Sequence, residues 1–168
     1  MGTASAIYRI VLLLHIAAAI VGFGGLLANG LNNAKAFRAP VDQAKTLLQA
    51  TQGVSKTAYY AIYALFALGI VLVAVSDSAF SFAAPWISAA FLVVFAIIGI
   101  SHGMVRPAIA GLVTRAEALA SGAPGQSVPI LESDEEAGGL AKRLAIGEGL
   151  IQLLLVIALY LMIWKPGN

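Results

Sequence analysis

Residues 7–28 read IYRIVLLLHIAAAIVGFGGLLA, a run of twenty-two positions with one charge, Arg9. About 20 apolar residues of helix are enough to cross the hydrocarbon of a bilayer. Three further runs have the same character: AYYAIYALFALGIVLVAVS at 58–76, WISAAFLVVFAIIGISHGMV at 86–105 and LAIGEGLIQLLLVIALYLMIW at 144–164. The expectation is an all-α bundle of four transmembrane helices forming a single membrane domain over residues 1–168. The first run is too long for a cleavable signal, and no A-x-A site closes it before a polar segment, so it is expected to be retained.

Composition agrees with this. The 168 residues are 60% hydrophobic and 11% charged, with a mean hydropathy of +0.91. A soluble domain carries roughly 25% charged residues, so this chain lacks the polar surface to cover itself in water. A soluble enzyme or a nucleic-acid module is thereby excluded, and the net charge of +2 is too small to suggest nucleic acid as a partner. The chain has no cysteine, which removes disulfides, thiolate-bound zinc and iron–sulfur clusters.

The ten Lys and Arg residues are unevenly placed. Lys35, Arg38, Lys45, Lys56, Arg106, Arg115, Lys142 and Arg143 border the first and third connections, whereas only Arg9 and Lys165 border the other side. Basic short loops face the cytoplasm, so both termini are expected outside a bacterial cytoplasmic (inner) membrane. Trp86 and Trp164 then fall at the outer boundary. Between Pro40 and Val54, Val41, Ala44, Leu47, Leu48 and Thr51 share one helical face. This predicts a short amphipathic helix in the first cytoplasmic loop, lying on the bilayer or packed on its own bundle. Residues 121–139, rich in Gly, Pro and Ser, read as a flexible connector. Ser133 and Glu136 have capping-box spacing for the start of the last helix.

Ionisable groups inside a membrane are costly and usually face inward. His15, His102 and Glu148 are of this kind. By the helical rise, His15 lies about 12 Å below the outer boundary and His102 about 6 Å above the cytoplasmic one, so they cannot share one heme or metal. Glu148 lies near the depth of His102, and Gln152 continues its face at i+4. With Arg106, Asn29, Asn32, Asn33, Tyr59 and Tyr60 they form an expected polar cluster at the cytoplasmic mouth, in which Glu148 should bond to His102 or Arg106. Two readings stand: a proton or ion site of a small transporter, channel or assembly protein, and interfacial polar groups that satisfy one another.

His15 heads a stripe of small residues at helical spacing, Ala18, Ala19, Gly22, Gly25 and Asn29. Such stripes permit close helix packing, within the chain or in a homo-oligomer, and Gly99 and Gly103 supply a GxxxG pattern on the third span. The stripe would also make room for a flat cofactor. The stretch Leu14-His15-Ile16-Ala17-Ala18-Ala19-Ile20-Val21-Gly22-Phe23-Gly24-Gly25-Leu26 resembles the first helix of the copper-resistance CopD group and of HemJ-type protoporphyrinogen oxidases. That resemblance implies a heme b ligated by the metal-binding His15, beside Gly22 and Gly25, with Arg9 pairing a propionate. Gly22 stands where those proteins usually carry tryptophan, and the third span lacks their later lysine. The implication is therefore heme binding rather than porphyrin oxidation, and enzymatic activity is left open. No second ligand stands at that depth, with Tyr160 within a few residues.

The charge asymmetry is tested by reporter fusions. A reporter after Asn168 should be active outside and one inserted near Gly125 active inside; a C-terminus found in the cytoplasm refutes the orientation.

Overall fold

The computed structural model describes residues 3, 5–77, 79–122 and 128–166, and for Ser133 the backbone only. Helix α1 spans Ala6–Ala36, α2 Val41–Ala74, α3 Pro85–Ile100, α4 Arg106–Gly122, α5 Ile130–Ser133 and α6 Glu135–Trp164. A π-helical turn, Ser101–Val105, joins α3 to α4, so Pro85–Gly122 is one continuous helix of 38 residues. Four helices are long and apolar enough to cross a membrane. Their up-down order puts the 37–40 connection and residues 128–134 at one end, here termed the charged end. The 75–84 connection and the described termini lie at the other.

Helix length divides the molecule into two zones. At 1.5 Å per residue the four spans measure about 45–57 Å, against a hydrocarbon core of about 30 Å. At the terminal end the helices stop close to where their apolar runs stop, so the surplus projects at the charged end. There the packing is that of a water-soluble core: Ala36, Ala44, Leu48, Ala108, Leu112, Ala116, Ile130, Ala137 and Leu144 are fully buried. Along the apolar runs the outward faces are open, with Leu13, Ile20, Leu92, Leu153 and Ile163 all more than half exposed. In that zone α1 packs chiefly along α2, and α3 along α6.

Several expectations change. The amphipathic segment is not a separate helix in a loop. It is the first turns of α2, and the connection shrinks to 37–40 because Val41, Ala44, Leu48 and Thr51 are buried in the charged-end core rather than in lipid. The third span does not end at Val105. The connector is also shorter than expected: Ile130 plugs the core, Pro129 bridges to Pro40, and Gly138 and Gly139 are helical. The cap of α6 is Asp134, whose carboxylate accepts from the Glu136 and Ala137 amides at 2.8 and 3.3 Å. Ser133 belongs to the preceding turn, and its side chain lies outside the described residues. Arg115 ties this corner down by pairing with Asp134 at 3.3 Å and with Glu136.

At the terminal end, the Ser76 hydroxyl donates to the Val73 carbonyl and accepts from the Phe80 amide. Lys165, left-handed at φ 44°, ends α6 and lays its ammonium over Phe80 and Trp86 at 4.9 and 5.7 Å. Trp86 is thus buried inside this clasp, whereas Trp164 is exposed and stacked on Tyr160.

If the charged-end core supplies most of the cohesion, Leu112→Ala should cost about 2–5 kcal/mol. Leu153→Ala on the open face should stay within about 0.5 kcal/mol. Denaturant unfolding in detergent reads both, and equal losses would contradict the two-zone description.

Candidate functional site

The site begins with a proline. Pro107 has no N–H to offer the carbonyl four residues back, and its ring crowds that carbonyl in an α-helix. The chain answers with the π turn, in which the Arg106 amide donates to the Ser101 carbonyl five residues back. The released Gly103 carbonyl accepts instead from Arg143 Nη2 of α6 at 2.6 Å. Gly147 lets α6 approach the turn, since a Cβ there would stand 2.9 Å from Val105 Cγ2 and 3.4 Å from Met104 Cβ. π turns recur at functional positions, and this one carries His102.

Seating α6 on the turn aims the next residue, Glu148, at α1. Its Oε1 accepts from Asn33 Nδ2 at 2.7 Å, and its Oε2 lies 3.7 Å from where a Cβ on Gly30 would be. Glu148 therefore faces the bundle, but its partner is Asn33, not His102 or Arg106. Among the described residues no cation lies within ion-pair reach of it. One turn earlier on the same face, Asn29 Nδ2 donates to Ser55 Oγ of α2 at 2.8 Å. Both asparagines are buried, and the Oδ1 atom of each has no hydrogen-bond partner.

The remaining members lie elsewhere. His102 is exposed on the α2–α3 seam. Its Nδ1 lies 2.9 Å from the Ile98 carbonyl and so must carry the proton, leaving Nε2 to accept from the Tyr63 hydroxyl at 2.8 Å. Arg106 lies over the Tyr59 ring at 5.6 Å. Tyr60 points outward, 73% exposed. Gln152 and Asn32 are half-buried, and neither joins these bonds. The expected single cluster is thus two groups at one level, Glu148–Asn33 with Asn29–Ser55, and Tyr63–His102 with Tyr59–Arg106. Tyr63, Ser55 and the Gly103–Arg143 bond escaped the sequence reading. The signal for Tyr63 was its i+4 spacing from Tyr59, and for Gly103 its place four residues before Pro107.

His15 belongs to a different layer. Its ring lies against α2, with Cε1 3.4 Å from where a Cβ on Gly69 would be, beside Phe91 and the Leu65 backbone. It is half-buried, and its Nδ1 makes no hydrogen bond of ordinary geometry. His102 meets α2 at Tyr63, six residues from Gly69, so the two histidines stand about 9 Å apart in depth. The stripe below His15 is filled by α2: a Cβ on Gly22 would come within 3.0 Å of Ile62 Cγ1, and one on Gly25 within 3.0 Å of Ala58 Cβ. Gly22 and Gly25 therefore do not line a slot for a flat cofactor. Arg9, six residues before His15, projects about 120° away around the helix and is exposed, so it does not stand over the face that His15 presents. The residues around His15 do not fit a heme, and no cluster of three metal-ligating side chains occurs among the described residues. By the same contacts the α1 stripe is an intrachain interface. Gly99 and Gly103, like Gly24 and Gly149, have nothing within 4 Å of their Cβ positions.

A double-mutant cycle tests the origin of the π turn. Arg143→Gln should cost about 1–2 kcal/mol by removing a charged donor from the Gly103 carbonyl. In a Pro107→Ala background, where the backbone N–H restored by the substitution can reach that carbonyl, the cost should fall by at least half. Strict additivity in detergent unfolding would contradict the assignment.

No family model, curated protein or solved structure matches this chain, so its function rests on the geometry of these groups.

Proposed function

We propose that this chain is a small multi-pass transport protein of the bacterial cytoplasmic membrane, with both termini outside, whose working group is Glu148. One observation carries the proposal. A carboxylate in an apolar spanning helix faces the bundle with a single amide partner and no counter-cation among the described residues. An ionisable group within a membrane helix is a functional candidate by default, because leaving it there is costly. The atoms around it point to the cargo. Glu148 offers two carboxylate oxygens, and Asn33 and Asn29 each keep an unpartnered Oδ1; oxygen ligands suit a proton or a small hard cation rather than a soft metal. The Asn33 amide holds the carboxylate in place while Glu148 gains and loses its cargo. The Asn29–Ser55 bond extends the polar layer from α1 to α2. A second copy of the chain would pack on the open Gly99–Gly103 face, where close helix approach is unobstructed.

Purified protein in vesicles loaded with proton- or sodium-sensitive dye tests the reading. Wild-type protein should dissipate an imposed gradient of one of these ions faster than empty vesicles. Glu148→Gln should return the rate to that of empty vesicles, and Glu132→Gln, on the exposed charged-end corner, should leave it unchanged. Wild-type rates equal to empty vesicles for both ions, or undiminished flux in Glu148→Gln, would overturn it.

A further inference from the structure

Helices α2 and α4 enclose a half-open cavity of about 300 Å³. Gln52, Ser55, Lys56 and Tyr59 line it from α2, and Arg106, Pro107, Ile109 and Ala110 from α4. We infer that this cavity is a binding site for the anionic phosphate headgroup of a membrane lipid.

Three features converge on that ligand. Lys56 and Arg106 both face the cavity, no carboxylate lines it, and neither cation is ion-paired among the described residues. Two uncompensated cations converging on one space match a phosphate, for which the Arg fork is well shaped. Tyr59 is 7% exposed, and its hydroxyl has no hydrogen bond of ordinary geometry. It is turned toward Ser55 and away from the open space. What Tyr59 offers the cavity is its ring, which holds the Arg106 guanidinium at 5.6 Å and so keeps that cation at the cavity wall.

The level of the cavity selects a lipid as the source. Tyr59 stands at the start of the 58–76 apolar run, and Arg106 directly follows the 86–105 run. The cavity therefore opens where hydrocarbon gives way to headgroups. Its volume lies at the small end of ligand sites and admits a headgroup but not the acyl chains. Toward the hydrocarbon the α2–α3 seam continues past Tyr63 and Phe95, which are 37% and 57% exposed, and offers an apolar track for those chains. The π turn contributes by its wider winding, which sets the direction in which Arg106 leaves the helix, over Tyr59.

The test is native mass spectrometry of the full chain in detergent, titrated with phosphatidylglycerol, phosphatidylcholine or inorganic phosphate. Wild-type protein should prefer phosphatidylglycerol. Lys56→Gln and Arg106→Gln should each weaken that binding about fivefold, Tyr59→Leu, which removes the ring under Arg106, should weaken it without a change in charge, and Lys142→Gln, exposed at the same end, should leave it unaltered. If Arg106→Gln fails to fold, loss in Lys56→Gln with recovery in Lys56→Arg carries the test. The inference is overturned if wild-type protein shows no preference, or if Lys142→Gln weakens binding as much as Lys56→Gln. It is equally overturned if inorganic phosphate binds as tightly as phosphatidylglycerol, which would make the ligand a soluble anion.

Discussion

Lipid tails are as apolar as leucine, so no hydrophobic force draws two helices together inside the hydrocarbon. The rest of this structure follows from that constraint. Within the apolar runs glycines set several close approaches, at Gly22 and Gly25 against α2, at Gly69 against His15, and at Gly147 against the π turn, and side chains such as Ile62, Ile97 and Ile151 fill the seams between them. Beyond the runs, where water is the solvent, burial again drives association. The surplus turns of all four helices close there around Leu48, Leu112, Ile130 and Leu144. The charged end thereby acts as a clamp that sets the register of helices which would otherwise have little reason to choose one.

The polar side chains gather at the junction of these two zones. Asn29, Asn33 and Glu148 lie where the tightly packed charged-end core meets the more open spans. The carboxylate is held by an amide rather than neutralised by a cation. That arrangement leaves it without a counter-cation among the described residues, unlike the carboxylates of Asp134 and Glu136, which are taken up by Arg115. The π turn stands at the same level and supplies the floor on which α6 rests.

The four spans were legible in the sequence because apolar run length is a strong signal with few alternatives. Their true ends were not. Val41, Ala44, Leu48 and Thr51 form an amphipathic face that fits a bilayer surface as well as a core, and only the packing of α1 and α4 beside it decides. Pro107 after Arg106 looks like a helix end, and it takes a compensating donor on a distant helix, Arg143, to let the helix run on. That Glu148 turns inward could be argued from cost alone. Its partner depended on which helices are neighbours, and depth estimates, which place residues along the membrane normal but not around it, could not choose Asn33 over His102. The same blindness to azimuth placed Arg9 beside His15.

The distribution of contacts also sets an order of events during synthesis. The α1–α2 hairpin closes through a connection of four residues, 37–40, and its glycine contacts are complete once α2 has emerged. The bond between Asn33 and Glu148 spans 115 positions in the chain. Until the ribosome has delivered α6, Asn33 must wait without its carboxylate. The last helix to arrive is therefore the one that brings Glu148 to a face already laid down by α1, and a chain truncated before α6 lacks that carboxylate altogether.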